Sequence, residues 1–140
     1  MSAMVRTAGI AALAVLLAAS AACSAGGAPR LDGTSWVLSA WSVSSVAADE
    51  FRITLTFTDG TLGGQAPVNS YGGEYTVGAE GRFATSEIAS TLMAGSEEAN
   101  RAEAAYFELL RRAERVAVEG ATLTLSDANG NELLVFTAAE

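Results

Sequence analysis

The sequence predicts a mainly β, α+β fold: an antiparallel curved sheet or small barrel of about seven strands, with one covering α-helix. Three observations predict it. Short runs of alternating apolar and polar residues recur between turn signals, which is the period of a half-buried strand. Asn129-Gly130 joins two such runs near the C-terminus, a strong hairpin signal. One stretch alone, about residues 97–114, carries apolar residues at helical spacing.

Residues 34–41 mix Trp, Val and Thr with small polar residues and read as a first strand; 43–48 read as a loop. Residues 52–57 alternate strictly, with Ile53, Leu55 and Phe57 on one face and Arg52, Thr54 and Thr56 on the other. Thr58-Asp59-Gly60 turns the chain. The Gly-rich, polar stretch 63–73 leads into a strand at 74–77. Residues 78–81 turn again, and 82–88 return as another strand.

The helix has Ser96 placed as N-cap and Glu97 and Glu98 in its first turn, where the dipole favours acids. Arg111, Arg112 and Arg115 crowd its far end. Ala99, Ala102, Tyr106, Leu109, Leu110 and Ala113 form its apolar stripe, which reads as a core face. Residues 121–126 and 132–137 close the domain as a hairpin around a type I′ turn. Such a set of short strands points to a barrel or strongly curved sheet whose opening or edge the helix covers.

Composition narrows the chemistry. The 140 residues include 8 basic and 16 acidic side chains, no His and one Cys, for a net charge of −8. The usual N/S zinc site and His-dependent nucleophiles are excluded. All eight basic residues are Arg, so Schiff-base and Ser–Lys chemistry are excluded too. The length suits one domain. The acidic balance argues against nucleic acid and against polybasic docking to anionic lipid. Neither a metal nor another cofactor is expected.

The N-terminus reads as an address. Arg6 precedes fifteen apolar or small residues, 8–22, too short for a permanent span but suited to a signal peptide at 1–22. Ser20-Ala21-Ala22-Cys23 resembles the lipobox of bacterial lipoproteins, in which the Cys is lipidated and becomes the new N-terminus. That resemblance implies an acyl anchor at Cys23; the small residues of 23–30 read as a tether, and 31–138 as one domain. The anchor places the protein on the extracytoplasmic face of a cell membrane. Ser20 stands where the lipobox has an aliphatic residue, so plain secretion is the alternative.

Other candidate sites have plainer readings. Residues 127–132 alternate oxygen ligands, but Gly130 is fourth rather than sixth and position twelve is Ala138, unlike a calcium loop. Asp49, Glu74, Glu80 and Glu87 could include a carboxylate pair of the glycosidase kind, yet nothing selects one. The glycines of 63–73 follow neither the phosphate-loop nor the dinucleotide order. They read as turn positions where φ is positive.

The mature domain resembles the META domain family. The family's opening Leu-x-Gly-Thr-x-Trp is seen as Leu31-Asp-Gly-Thr-Ser-Trp36. Its central Gly-Cys-Asn-x-Tyr-x-Gly-x-Tyr is matched at Asn69, Tyr71, Gly73 and Tyr75. Its Thr-x-Met-Ala-Cys is matched at Thr91, Met93 and Ala94. Leu123, Leu125, Asp127, Gly130, Leu134 and Phe136 fit its closing hairpin. The family's two Cys positions fall on Val68 and Gly95. Their joint loss implies that these positions are neighbours, bridged where both Cys are present, with Cα atoms within ~7 Å.

The resemblance implies a small β-rich domain, often on an envelope lipoprotein tied to stress response, drug tolerance or virulence. It supplies no catalytic residue. The expected function is therefore a non-enzymatic module that binds another envelope protein or helps maintain the envelope. Trp36, Trp41, Tyr71 and Tyr75 would mark a docking face if they clustered on the surface. The alternatives are a module holding a small apolar ligand inside the barrel and, third, a carboxylate-pair hydrolase.

Overall fold

The structure, a computed structural model, describes residues 27–43 and 45–140. The apolar segment 1–22, Cys23 and the start of the tether lie outside the described residues. In chain order the elements are β1 (Ser35–Trp41), β2 (Thr54–Thr58), β3 (Thr61–Gln65), β4 (Ser70–Val77), β5 (Phe83–Thr85), β6 (Ala89–Ser90), α1 (Glu97–Arg112), β7 (Arg115–Glu119), β8 (Thr122–Ser126) and β9 (Glu132–Ala138).

All pairings are antiparallel, in the order β5-β4-β3-β2-β1-β9-β8-β7. The short β6 pairs with the first half of β4, ahead of β5 on the second half. The two ends of the sheet then meet. Arg82 bridges Arg115, and the Phe83 N–H donates to the Glu114 carbonyl at 2.9 Å. The result is a nearly closed barrel, which leaves little unpaired edge.

Period-2 patterning decides the interior. Trp36, Leu38, Leu55, Phe57, Leu62, Leu123, Leu125, Leu134 and Phe136 point inward from their strands and form one cluster. Ile53, Leu55, Phe57, Leu123 and Leu125 are each 0% exposed. Helix α1 packs against β5 and β9 and adds Tyr106, Leu109 and Leu110 to the same cluster. All six residues of its apolar stripe are buried, and Ser96 accepts from the Ala99 N–H at 3.2 Å as its N-cap. Burying one such Leu or Phe stabilises by about 1.5–3 kcal/mol.

The structure differs from the sequence reading in five places. The glycines of 63–73 are not positive-φ turn positions: Gly63, Gly64, Gly72 and Gly73 lie in β3 and β4. Close backbone approach is the reason for glycine there, since a Cβ on Gly64 would run into the Thr54 carbonyl. The described residues form nine strands rather than about seven, and β3, β6 and β7 were not among the six runs read as strands. The strand expected over 82–88 ends at Thr85, where the Glu74 N–H donates to the Ser86 hydroxyl at 3.0 Å in place of a backbone carbonyl. The helix stops at Arg112, and Ala113 is its extended C-cap. The final hairpin has no type I′ turn: neither Ala128 nor Asn129 has positive φ, and only Gly130 does, at 83°. The Gly130 N–H donates to the Asp127 carbonyl, and Asp127 Oδ1 accepts the N–H groups of Asn129 and Asn131. A type I turn with a left-handed glycine after it satisfies the same residues.

Candidate functional site

The motif positions around β4 converge on Asn69. Helix α1 delivers Glu103, 8% exposed, to the turn between β3 and β4. Its Oε1 accepts the N–H groups of Val68 (3.2 Å) and Asn69 (2.7 Å), and Oε2 accepts from Asn69 Nδ2 at 2.7 Å. The other end of the amide reaches the segment after β6. Asn69 Oδ1 accepts from Thr91 Oγ1 (2.8 Å) and the Met93 N–H (2.6 Å), while Nδ2 also donates to the Met93 carbonyl at 3.3 Å. A buried carboxylate is tolerated here because three donors replace its water.

Val68 and Gly95 flank this cluster and are neighbours. A Cβ on Gly95 would lie 2.6 Å from Val68 Cγ2 and 3.2 Å from Cγ1. The valine side chain thus fills the space beside a glycine that has none. Gly73 is required for a similar reason. A Cβ there would stand 3.0 Å from the Glu87 carbonyl and from Ile88 Cδ1, where the chain crosses from β5 to β6.

The aromatic candidates are inward. Trp36 is 4% and Tyr71 6% exposed. Trp36 Nε1 donates to Thr34 Oγ1, which donates to the Leu31 carbonyl, so the opening motif is a self-contained plug. Trp41 is half-buried and donates to the Val46 carbonyl. Tyr75 packs edge-on against Phe57 at 4.9 Å. Tyr71 Oη donates to the Thr54 carbonyl at 2.6 Å, so its 2.6 Å contact with Tyr106 Oη uses the Tyr106 proton. Burial pushes both phenols above the ordinary tyrosine range. The four aromatic candidates therefore pack on or in the core and do not cluster as an exposed aromatic face among the described residues.

Among the described residues the barrel interior is filled by side chains of the chain itself, which leaves no enclosed apolar cavity of the kind the ligand-binding alternative needs. Glu74 and Glu87 border one open trough of about 550 Å³ on the outer sheet face, floored by Gly63 and Gly72. Among the described residues no three potential metal-ligating side chains converge, and no helix is long and apolar enough to cross a membrane.

Sequence reasoning missed Glu103 and Leu92, and took Met93 only as a motif position without its exposure. Glu103 sits within the apolar stripe, four residues after Ala99 and three before Tyr106, and a lone acid at such a position was its signal. Leu92 and Met93 are 97% and 67% exposed, the two exposed large hydrophobic residues among those described. Their signal was a pair of apolar residues in a run that fits neither strand nor helix period.

The fold and this site define a small, nearly closed antiparallel barrel, one helix packed on it by its apolar face, with a buried amide–carboxylate clamp. The META domain family model matches residues 29–140, and the chain belongs to the META domain family. A protein from Burkholderia xenovorans with an NMR structure is similar over 78% of this chain and 83% of that one, at 29% identity and a TM-score of 0.65. A second NMR structure is similar over 76% of this chain and 90% of that one, at 21% identity and a TM-score of 0.59, a likeness of fold. No curated protein matches the chain.

Proposed function

We propose that this protein is a lipid-anchored envelope protein, tethered through Cys23, whose META domain is a non-enzymatic protein-interaction module. One observation carries the interaction reading. The buried polar groups of the clamp spend their hydrogen bonds on backbone and side chains of the same chain, while Leu92 and Met93 are held out in water. Paired apolar side chains on a fixed segment are more expected at a contact surface than on a domain that works alone. The lipobox-like Ser20–Cys23 supports the anchor. Carboxylate-pair hydrolysis has only the shared trough of Glu74 and Glu87 in its favour.

The anchor is tested by the intact mass of the mature protein from native membranes, beside Cys23→Ala. A diacylglyceryl-sized addition at Cys23, lost in the variant together with membrane association, is the expected result. A lipid-free chain in the soluble fraction would leave a secreted domain instead. The interaction is tested by native electrophoresis of gently solubilised membranes, where the protein should migrate in a complex larger than itself. Migration as a lone chain would refute the interaction.

A further inference from the structure

Resting on the interaction reading above, we infer that Leu92 and Met93 form a preformed apolar peg that enters an apolar pocket bordered by Lys or Arg on a partner protein. Three features of the segment support this.

The backbone is pinned at alternate residues. The Thr91 N–H donates to the Ser70 carbonyl at 3.0 Å, and the Met93 N–H to Asn69 Oδ1 at 2.6 Å. The Gly95 N–H donates to Asn100 Oδ1 at 3.2 Å, and Asn100 Nδ2 returns a bond to the Gly95 carbonyl at 3.1 Å. Leu92 lies between two fixed points and projects away from them. The buried Asn69–Glu103 clamp therefore sets its position before any partner arrives, which removes an ordering penalty from binding.

The peg is apolar and locally uncharged. No charged residue lies between Glu87 and Glu97, and Leu92 and Met93 occupy the middle of that run. Two adjacent large apolar side chains, one almost wholly in water, amount to more than a scattered surface Leu.

The border is acidic. Glu87 closes the run on one side, and Glu97 and Glu98 on the other, all exposed. Arg101 is paired with Glu97, so Glu87 and Glu98 face water without a basic partner in the described structure. This charge pattern selects among occupants. A second copy would bring the same acids and the same net charge of −8 to the contact. An anionic lipid surface would repel them likewise. A protein pocket with basic residues at its rim complements both the apolar centre and the acidic edge.

The test is site-specific photo-crosslinking in intact cells that produce the full chain. A photoactivatable residue replaces Leu92 in one sample and Thr122, also exposed, on β8, in the other. The expected result is a crosslink to a protein from position 92 and not from 122, with linked residues that are apolar and flanked by Lys or Arg. Recovery of the native complex should fall about tenfold or more in Leu92→Asp and several-fold in Glu98→Arg. Circular dichroism of the purified Leu92→Asp variant should be unchanged, because the side chain packs on nothing. Crosslinks to lipid, to a second copy of this chain, or equally from both positions would overturn the inference. So would a complex indifferent to Leu92→Asp, although the interaction reading would then survive. Absence of any complex would remove both.

Discussion

Replacing Val68 and Gly95 together by Cys should close a disulfide across the candidate site. The geometry sets the expectation. A Cβ on Gly95 lies 2.6 Å from Val68 Cγ2, and a C–C bond is about 1.5 Å. The two Cβ atoms can therefore be no more than about 4.1 Å apart, inside the disulfide range of roughly 3.5–4.5 Å. The backbone of Gly95 is not in the left-handed region, so a side chain there is not strained by φ. Val68→Cys also removes the methyl that would otherwise crowd the new Cβ. The bridge closes a 28-residue loop. Chain entropy gives about 3.5 kcal/mol for that length, or a Tm rise of roughly 10–20 °C in a domain of this size. The assay is thermal unfolding with and without reductant, with thiol counting on the denatured protein. Two free thiols after oxidation would refute the adjacency. A bridge that forms but lowers Tm would refute the claim that it closes without strain.

The clamp gives a second prediction. Glu103→Gln puts an NH2 group among three donors and should cost about 1–3 kcal/mol, read as a shift in the denaturant midpoint at unchanged slope. Asn69→Ala should cost at least as much, because it strands the Met93 N–H as well. At high pH, Tyr71 and Tyr106 should resist ionisation. A phenol with a raised folded pKa contributes stability below the unfolded value near 10 that is lost as pH rises, so alkaline unfolding should accompany their absorbance change. Tyrosinate absorbance from both, with the fold intact near pH 10, would contradict their burial. At low pH, the side-chain and backbone hydrogen bonds from Asn131 hold the Asp127 carboxyl below its ordinary value. Its contribution is present above the ordinary carboxylate range and lost as pH falls through the depressed value. Asn131→Ala should raise the Asp127 midpoint in an NMR titration, and an unchanged midpoint would remove Asn131 as the cause.

Much of the fold is local and was legible in the sequence. The alternation of Ile53, Leu55 and Phe57, and of Leu123 and Leu125, needs only the two-residue period of a strand. The stripe from Ala99 to Ala113 needs only the helical one. Ser96, Glu97 and the closing arginines mark helix ends because unpaired backbone groups and the dipole act within one turn. The elements that escaped lack such signals. β3 contains Gly63 and Gly64, which give no side-chain alternation, and Arg115 of β7 reads equally well as the last cation of the helix.

The site is a matter of tertiary structure. Glu103 is 34 residues from Asn69, and no period in the sequence says that a helical acid will meet a turn amide. The family motif pointed to Val68 and Gly95 as a pair, but only packing shows the valine filling the glycine's empty side. The exposure of Leu92 follows from where its neighbours are pinned. Burial is a property of the surrounding chain, so nothing in the sequence by itself showed that Leu92 and Met93 are exposed, while the folded barrel left them in water.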